Sequence, residues 1–209
     1  MNETIRGAHV QPLLDHQRPA GDPRLRSRHA RHDGQPPADL WRDYSAPIVH
    51  NVEGGARELT TARWGMPSPV FALKGRSSVS DVTNIRSVAS PHWWRWLGVE
   101  SRCVVPFTSF AENELQPDGS RPPVWFALDE SRPLAFFAGV WTRWTSVRKV
   151  QEGETTNDLF AFLTTEANAV VAPIHAKAMP VILTTAEEWD AWLEGSVAEA
   201  TALQKTIAK

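Results

Sequence analysis

The sequence is poor in the residues that build covalent cross-links, metal sites and membrane spans. It holds a single cysteine, Cys103, in 209 residues, which excludes an internal disulfide and a zinc site made of several cysteines. No apolar run of about 18 residues occurs, and the first residues lack the continuous apolar stretch of a signal peptide. We therefore expect a cytoplasmic protein that does not enter a membrane.

The chain also lacks a strong overall charge. Its 22 Lys and Arg residues stand against 24 Asp and Glu residues, which gives a formal net charge of -2. Such a balance produces no general field that would favour nucleic acid, so any basic surface must be local. One region qualifies, because between Thr60 and Phe110 six basic residues face two acids. The basic residues are Arg63, Lys74, Arg76, Arg86, Arg95 and Arg102.

Tyrosine is nearly absent, with one residue, whereas tryptophan occurs ten times. Aromatic rings alternate with the basic residues of this region, at Trp64, Phe71, Trp93, Trp94 and Trp96. Stacking on bases together with pairing to phosphates holds single strands without reading their sequence. The same mixture of aromatic and basic residues occurs where an element packs its rings in the core and exposes its charges to solvent. That arrangement is the more frequent one. Trp93, Trp94 and Trp96 cannot all share one face of a regular element.

Composition divides the chain into two parts. Residues 1–40 contain no aromatic residue, carry four of the seven histidines and show neither helical nor strand periodicity. That texture is typical of unfolded sequence. We predict a poorly structured segment over residues 1–41 and one folded domain over residues 42–209, a length sufficient for a sizeable core.

Apolar runs rich in β-branched and aromatic residues predict five strands in the folded domain. Asp118-Gly119 predicts a turn between two of them. The predicted strands are Cys103–Phe107, Val124–Leu128, Leu134–Trp141, Leu159–Thr164 and Val181–Thr184.

Helical signals are fewer. Thr185, with Glu188 three residues later, forms a capping box ahead of apolar residues at one-face spacing, which predicts a C-terminal amphipathic helix. A short helix is also expected over Glu166–Val171. Long irregular stretches are expected at Gly65–Gly75 and Asp81–Pro91, where loops of that length are usually functional or mobile. The expected class is α+β, with a mainly antiparallel, partly barrel-like β core and a few peripheral helices.

Three residues are candidates for chemistry. His175 precedes an apolar strand, where an imidazole can act as an acid or base near neutral pH, or serve only as a hydrogen-bonded structural group. Glu112 follows the strand Cys103–Phe107 and is by itself indistinguishable from an isolated surface glutamate. Cys103 lies beside two valines, which is typical of a buried apolar residue and not of a nucleophile.

A series of short motifs occurs in one order along the chain, from about Asp43 to Trp192. The series resembles the SOS response-associated peptidase (SRAP) family, and the combination is specific although each motif alone is weak. The motifs are Trp64-Gly65-Met66-Pro67, Asn84-x-Arg86, Arg102 to Pro106 with Phe110-Ala111-Glu112, Phe137 to Trp141, Ile174-His175, and Met179 to Leu183.

The resemblance implies a sensor of abasic sites in single-stranded DNA. We expect it to be a monomer in the cytoplasm, at the nucleoid. We expect no metal or organic cofactor, because the histidines are scattered or lie within residues 1–40. The family attacks the sugar aldehyde with the amine and thiol of an N-terminal cysteine, which gives a Schiff base and then a thiazolidine. The resemblance places Asn84, Glu112 and His175 in the catalytic site. It implies that Arg86 grips a phosphate. The basic and aromatic composition of the region adds Arg63, Trp64 and Trp93 as candidates for DNA binding, and Lys177 is a further candidate. Peptidase activity in the family is chiefly self-removal of residues before that cysteine, so the enzyme class stays open between peptidase and lyase.

The chain departs from the family pattern at two motifs. The common Asn-Ala-Arg-x-Glu-Thr is here Asn84-Ile85-Arg86-Ser87-Val88-Ala89, and the common Ile-His-x-Arg-Met-Pro has gained a residue before Met179. Lys177 keeps the positive charge of the family's arginine but loses its bidentate fork.

The largest departure is at the N-terminus. The family begins Met-Cys, whereas this chain begins Met1-Asn2-Glu3-Thr4. Shifting the reading frame by one base at His9 permits a Met-Cys start, and a second shift near Arg42 restores the register. The alternative is an N-terminus that has diverged. The first hypothesis predicts covalent capture by the native product, and the second predicts a family member that binds single-stranded DNA non-covalently. No Cys and His pair for general proteolysis is apparent.

Overall fold

The computed structural model describes residues 25–27, 44–69 and 81–207. The described residues contain thirteen strands and two short helices, with a single 3-10 turn at Trp94–Trp96. In chain order these are β1 Leu25–Ser27, β2 Ser45–Asn51, β3 Arg57–Trp64, β4 Met66–Pro67, β5 Asp81–Val82, β6 Asn84–Ile85, β7 Arg102–Phe107, β8 Phe110–Asn113, β9 Pro123–Phe126, β10 Ala135–Val147, β11 Glu154–Thr165, β12 Met179–Pro180, β13 Ile182–Leu183, α1 Ala186–Glu194 and α2 Val197–Ala202.

Five strands close into a barrel. β3, β2, β7, β10 and β11 follow one another as antiparallel neighbours, and β11 then pairs in parallel with β3. In that closing pair Leu159 lies opposite Arg63, and Phe160 lies opposite Trp64. Closure leaves none of the five as a free edge. The predicted α+β class, with a mainly antiparallel, barrel-like core and few helices, is confirmed.

Successive side chains point to opposite sides of a strand, and β7 is apolar on both of its faces. On β7, Cys103, Val105 and Phe107 belong to one core cluster and Val104 belongs to the other. Helix α1 packs with the Val104 face through Trp192 and Leu193. A helix lies outside a barrel, so the Val104 cluster is the outer core and the Cys103 cluster fills the interior.

Four of the five predicted strands correspond to β7, β9, β10 and β11, although β10 and β11 extend further than expected. The fifth, Val181–Thr184, is reduced to β13, Ile182–Leu183. The predicted turn at Asp118-Gly119 is present, because the Ser120 backbone N–H donates to Asp118 Oδ1 over 2.8 Å and Gly119 adopts a φ of 83°.

The predicted C-terminal helix is α1. Thr185 is its N-cap, and its Oγ1 accepts a hydrogen bond from the Glu188 N–H at 3.3 Å. The Glu188 carboxylate accepts from the Thr184 N–H at 2.8 Å, so it reaches one residue beyond the expected capping-box position. Helix α2 was not predicted from the sequence, although Ser196 and Glu199 form a complete capping box at its start.

The helix predicted at Glu166–Val171 is wrong. Asn168 Oδ1 accepts hydrogen bonds from the backbone N–H groups of Val170, at 3.1 Å, and Val171, at 3.0 Å. Only isolated turns follow, such as the 2.9 Å bond from the His175 N–H to the Val171 carbonyl. Pro173 has no N–H to continue a helical ladder. An Asx-type turn therefore replaces the helix.

The predicted irregular stretches are only partly described. Asp81–Pro91 contains the short strands β5 and β6, which pair with β4 and β11, so it is more regular than expected. Of Gly65–Gly75, residues 70–75 lie outside the described residues. The same holds for residues 1–41 apart from β1, which runs parallel to Arg57–Leu59. Among the described segments, neither helix has the length and apolarity to cross a membrane.

Candidate active site

The Glu112 and His175 side chains are in contact, which brings β8 against the segment that precedes β12. His175 Nδ1 lies 3.1 Å from Glu112 Oε2, and the two side chains are 37% and 27% exposed, respectively. The two atoms are close, but Nδ1 has no hydrogen-bond partner with acceptable geometry. The pair is therefore half-buried.

Strand β8 presents Glu112. Phe110 and Glu112 are partly buried on one side of β8, and Ala111 and Asn113 are exposed on the other. Phe110 packs against Phe137 at 5.9 Å and stacks on Phe126 at 5.3 Å. These rings fix the strand and turn the Glu112 carboxylate towards the segment that carries His175.

The surroundings of Glu112 favour its protonated form. Burial raises the pKa of the Glu112 carboxyl, and the nearby His175 opposes that rise with a smaller effect. A carboxyl with a raised pKa gives up and regains a proton nearer to neutral pH than an ordinary glutamate does. That property suits a proton-transfer group and is unusual for an isolated surface glutamate.

Asn84 lies on β6, and Arg86 directly follows that strand. Asn84 pairs in register with Phe162 of β11, is exposed, and directs its amide to the Thr83 hydroxyl at 3.4 Å. Its side chain makes no contact with Glu112 or His175 among the contacts of the described residues. Arg86 connects to the His175 segment, because its Nη1 donates to the Lys177 carbonyl at 2.6 Å and to the Thr165 carbonyl at 3.1 Å.

A row of aromatic rings joins the two halves of the site. Trp64 stacks on Phe162 at 5.1 Å and donates from Nε1 to the Thr83 carbonyl at 3.0 Å. Phe162 contacts Phe137 at 5.1 Å, and Phe137 contacts Phe110. These four rings, which we name the aromatic row, belong to the interior cluster. The row leads from Trp64, which contacts the Thr83 carbonyl, to Phe110 on the strand that bears Glu112.

The other residues predicted to bind DNA, Lys177, Arg63 and Trp93, differ in how exposed they are and in what they contact. Lys177 is exposed two residues beyond His175. Arg63 forms a double contact with Glu152, at 3.1 and 3.3 Å. Trp93 is only 7% exposed and packs in the outer core, so its ring has no free face for a base, whereas its neighbour Trp94 is 62% exposed.

The sequence led to Trp93 as the DNA-binding residue and not to Trp94, whose ring is the exposed one. The two neighbours cannot be distinguished by sequence, because the conformation of the 3-10 turn determines which ring faces the core. Sequence reasoning also missed Phe162 and Phe137 as the floor of the site. Their strands were predicted correctly, but the contact of Phe162 with Trp64 depends on a long-range pairing that no local pattern contains.

Cys103 is buried, as expected from its valine neighbours. Complete burial raises the pKa of its thiol far above the usual value, which suppresses the thiolate that acts as a nucleophile. Across residues 44–69 and 81–207, no group of three or more His, Cys, Asp or Glu side chains is arranged to hold a metal ion.

Comparison with solved structures extends the likeness to the whole fold. A protein from Bordetella bronchiseptica aligns with a TM-score of 0.70 at 23% identity, over 97% of this chain and 95% of that one. A protein from Bacteroides thetaiotaomicron aligns with a TM-score of 0.55 at 25% identity, over 79% and 73% of the two chains. A phage-related protein from Bordetella bronchiseptica gives a TM-score of 0.58 at 21% identity, over 84% and 78%. None of the curated proteins matches this sequence.

The family comparison agrees with the motifs. The family model described as SOS response associated peptidase (SRAP) matches residues 14–209, which include every candidate site residue. With that match over most of its length, the chain belongs to the SRAP family.

Proposed function

We propose that this protein recognises abasic sites in single-stranded DNA and that the Glu112 and His175 pair moves protons during their covalent capture. The observation that carries the proposal is the 3.1 Å approach of His175 Nδ1 to Glu112 Oε2. A half-buried carboxyl and imidazole in contact form the minimal acid and base set for carbonyl chemistry. Arg86 and Lys177 put positive charge on the segments that flank this pair, where a phosphate backbone would run.

The chemistry follows from an open abasic sugar, which carries an aldehyde. A terminal amine adds to the aldehyde carbon and passes one N–H proton to the oxygen. The resulting carbinolamine loses water when an acid protonates the departing hydroxyl and the nitrogen gives up its remaining proton, which leaves a C=N bond. A thiol on the same terminal residue then adds to the C=N bond and gives up its proton to nitrogen, which closes a thiazolidine. Every step transfers protons, and Glu112, with its raised pKa, exchanges them with the sugar oxygen or the nitrogen.

The thiol in this proposal belongs to a cysteine at a family-like Met-Cys start. Cys103 does not serve, because it is completely buried and its thiol pKa is raised. Asn84 is exposed beside the aromatic row and has an amide that can orient the sugar or the attacking terminus.

A second candidate function is non-covalent binding of single-stranded DNA. The observation that favours it is that Cys103 is the single cysteine of the printed chain and is inaccessible. On this alternative the cations and the aromatic rings hold a strand by phosphate pairing and stacking, with no bond formed.

Mixing the protein with single-stranded DNA that carries one abasic site, followed by a denaturing gel, separates the two functions. We compare the chain as printed with a version whose N-terminus is recoded to begin Met-Cys. A shifted band for the recoded version alone supports covalent capture. Salt-sensitive binding by both versions, with no band that survives denaturation, supports the non-covalent alternative, and no binding by either overturns both.

A Glu112→Gln variant of the recoded version tests the assigned role. The adduct should form more slowly, while the affinity for the DNA stays the same, because the amide keeps the shape but cannot exchange a proton. Glu114→Gln is a matched control on the same hairpin, since Glu114 contacts Gln116 and not His175. Equal rates for the two variants would remove Glu112 from the mechanism.

A further inference from the structure

The chain beyond α2 runs back over the segments that carry the candidate site. Gln204 lies in this part, and its Nε2 is placed to donate to the carbonyls of Arg86, at 2.8 Å, and Thr164, at 2.9 Å. The Ile85 carbonyl is further away, at 3.4 Å. Two residues later, Thr206 Oγ1 donates to the Glu166 carbonyl at 2.7 Å. One side-chain amide therefore joins the end of β6 to the end of β11.

Arg86 extends this connection to the third segment of the site. Its backbone carbonyl accepts from Gln204, and its guanidinium donates to the Thr165 and Lys177 carbonyls. Lys177 is two residues from His175. Contacts thus lead from Gln204 through the Arg86 backbone and side chain to the segment that places the His175 imidazole against Glu112.

No regular hydrogen-bonded ladder holds the His175 segment over this stretch. Residues 173–178 lie outside every strand and helix, and the pairing of β12 with β11 begins only at Met179, opposite Thr165. Irregular backbone of this kind depends on side-chain donors to fix its carbonyls. The Glu112 carboxylate comes from a separate hairpin, so a shift of the His175 segment changes the distance between the two groups directly.

We propose that Gln204 is a positioning residue that sets the geometry of the Glu112 and His175 pair through Arg86. Its amide group donates to the Arg86 and Thr164 carbonyls, which lie on two different segments. An apolar side chain has no donor for them, and the shorter side chain of asparagine does not reach both. The inference rests on the proposed function for its purpose, but the geometry that it predicts is measurable without DNA.

The test compares Gln204→Met, which keeps the length of the side chain and removes both donors, with the parent chain. The readout is the set of ring 15N and 1H shifts of His175, measured by NMR at fixed neutral pH on the full chain. The expected result is a displacement of the His175 ring signals. Thr201→Ala is the matched control, because Thr201 Oγ1 donates only within α2, to the Val197 and Ala198 carbonyls.

A general loss of stability is distinguished by the melting temperature. Both variants lose side-chain hydrogen bonds, so a purely structural Gln204 would lower the melting temperature while the His175 signals stay where Thr201→Ala leaves them, and this result overturns the proposal. Should Gln204→Met not fold, Gln204→Asn keeps the amide with a shorter reach and must still displace the His175 signals.

Combining Gln204→Met with the recoded Met-Cys start adds a functional readout. The adduct should form several-fold more slowly, with unchanged affinity for abasic single-stranded DNA. If the recoded parent forms no adduct at all, the proposed function fails while the NMR result still decides the role of Gln204. If the adduct forms at the parental rate, the positioning role is excluded even though the function holds.

Discussion

At the scale of single residues, burial and the neighbouring imidazole shift the pKa of Glu112 in opposite directions. Burial is the larger, so the pKa of the folded-state carboxyl is raised above its ordinary value of 4.5. A carboxyl with a raised pKa binds its proton more tightly in the folded state than in the unfolded chain. Stability contributed by the protonated form is therefore present below 4.5 and is lost as pH rises from 4.5 through the folded-state pKa.

Glu112→Gln should remove this loss, because glutamine does not titrate. We expect the free energy of unfolding of the variant, minus that of the parent, to increase as pH rises through that window and then to level off. Urea unfolding at a series of pH values measures it. Carboxyls with lowered pKa, such as Asp118 and Glu199, titrate in both proteins and cancel in the difference. A difference that is constant with pH would show that burial does not perturb Glu112.

The two neighbouring tryptophans give a second prediction at this scale. Trp93 packs against Trp96 at 5.7 Å in the outer core, whereas Trp94 is exposed. Trp93→Ala should lower the free energy of unfolding by about 3–5 kcal/mol, since a large buried ring leaves a cavity. Trp94→Ala should change it by no more than about 0.5 kcal/mol. Chemical denaturation measures both, and equal losses would contradict the assigned burial.

Residue identity alone could predict part of the site. The motif series led to Glu112 and His175, which do meet, and the valine neighbours of Cys103 correctly indicated burial. The partners of Arg86 and Arg63 could not be predicted, because Lys177 and Glu152 are about 90 residues away from them along the chain. Which of two adjacent indoles is exposed depends on the phase of one 3-10 turn, and single-residue patterns do not specify that phase.

At the scale of elements, the turn between β3 and β4 depends on Gly65. Its φ is 133°, and a Cβ added there would lie 2.7 Å from the Cβ of Asp81 and 2.9 Å from Nη2 of Arg148. These two side chains form a 2.9 Å ion pair, and Arg148 Nη1 donates to the Gly65 carbonyl at 2.8 Å. The close approach therefore connects β4 and β5 to the β10–β11 hairpin.

Gly65→Ala should destabilise the protein by about 3 kcal/mol, because a left-handed backbone and a steric clash act together. Gly54→Ala is the control. Gly54 also has a positive φ, of 86°, but nothing lies within 4 Å of its added Cβ, so about 1 kcal/mol is expected from the backbone alone. Thermal and urea unfolding compare the two, and a Gly65 effect no larger than that of Gly54 would exclude the steric contribution.

Local patterns predicted elements well where a strand or helix carries its own signal. β7 and the second half of β11, Leu159–Leu163, are apolar runs, and α1 begins at a capping residue. The interpretation failed at Glu166–Val171, because Asn168 offers its side chain to the backbone as an alternative to helical bonding. The closure of the barrel was expected only in outline. The parallel pairing of β3 with β11 joins Trp64 to Phe160 across nearly 100 residues, and strand composition does not encode that register.

At the scale of the whole molecule, charge is nearly balanced while the candidate site is flanked by cations. The formal net charge is -2, so the molecule as a whole creates no field that attracts DNA, and the proposed binding would depend on a few local contacts. Arg86 also contacts Glu166, at 3.7 Å, which reduces its positive field. Lys177 is exposed beside His175 and is the cation best placed to meet a phosphate directly.

On the proposed function, Lys177→Ala should reduce the salt dependence of binding to single-stranded DNA. Each phosphate contact adds roughly 0.7 to the steepness of log K against log salt concentration for single strands, so the slope should become shallower by about 0.7. Lys149→Ala is the control, because Lys149 pairs with Glu152 at 3.2 Å in the turn before β11, whereas Lys177 lies near the other end of that strand. Fluorescence anisotropy with a labelled oligonucleotide over a range of salt concentrations gives both slopes. A parental slope for Lys177→Ala would place the DNA away from the Glu112 and His175 pair.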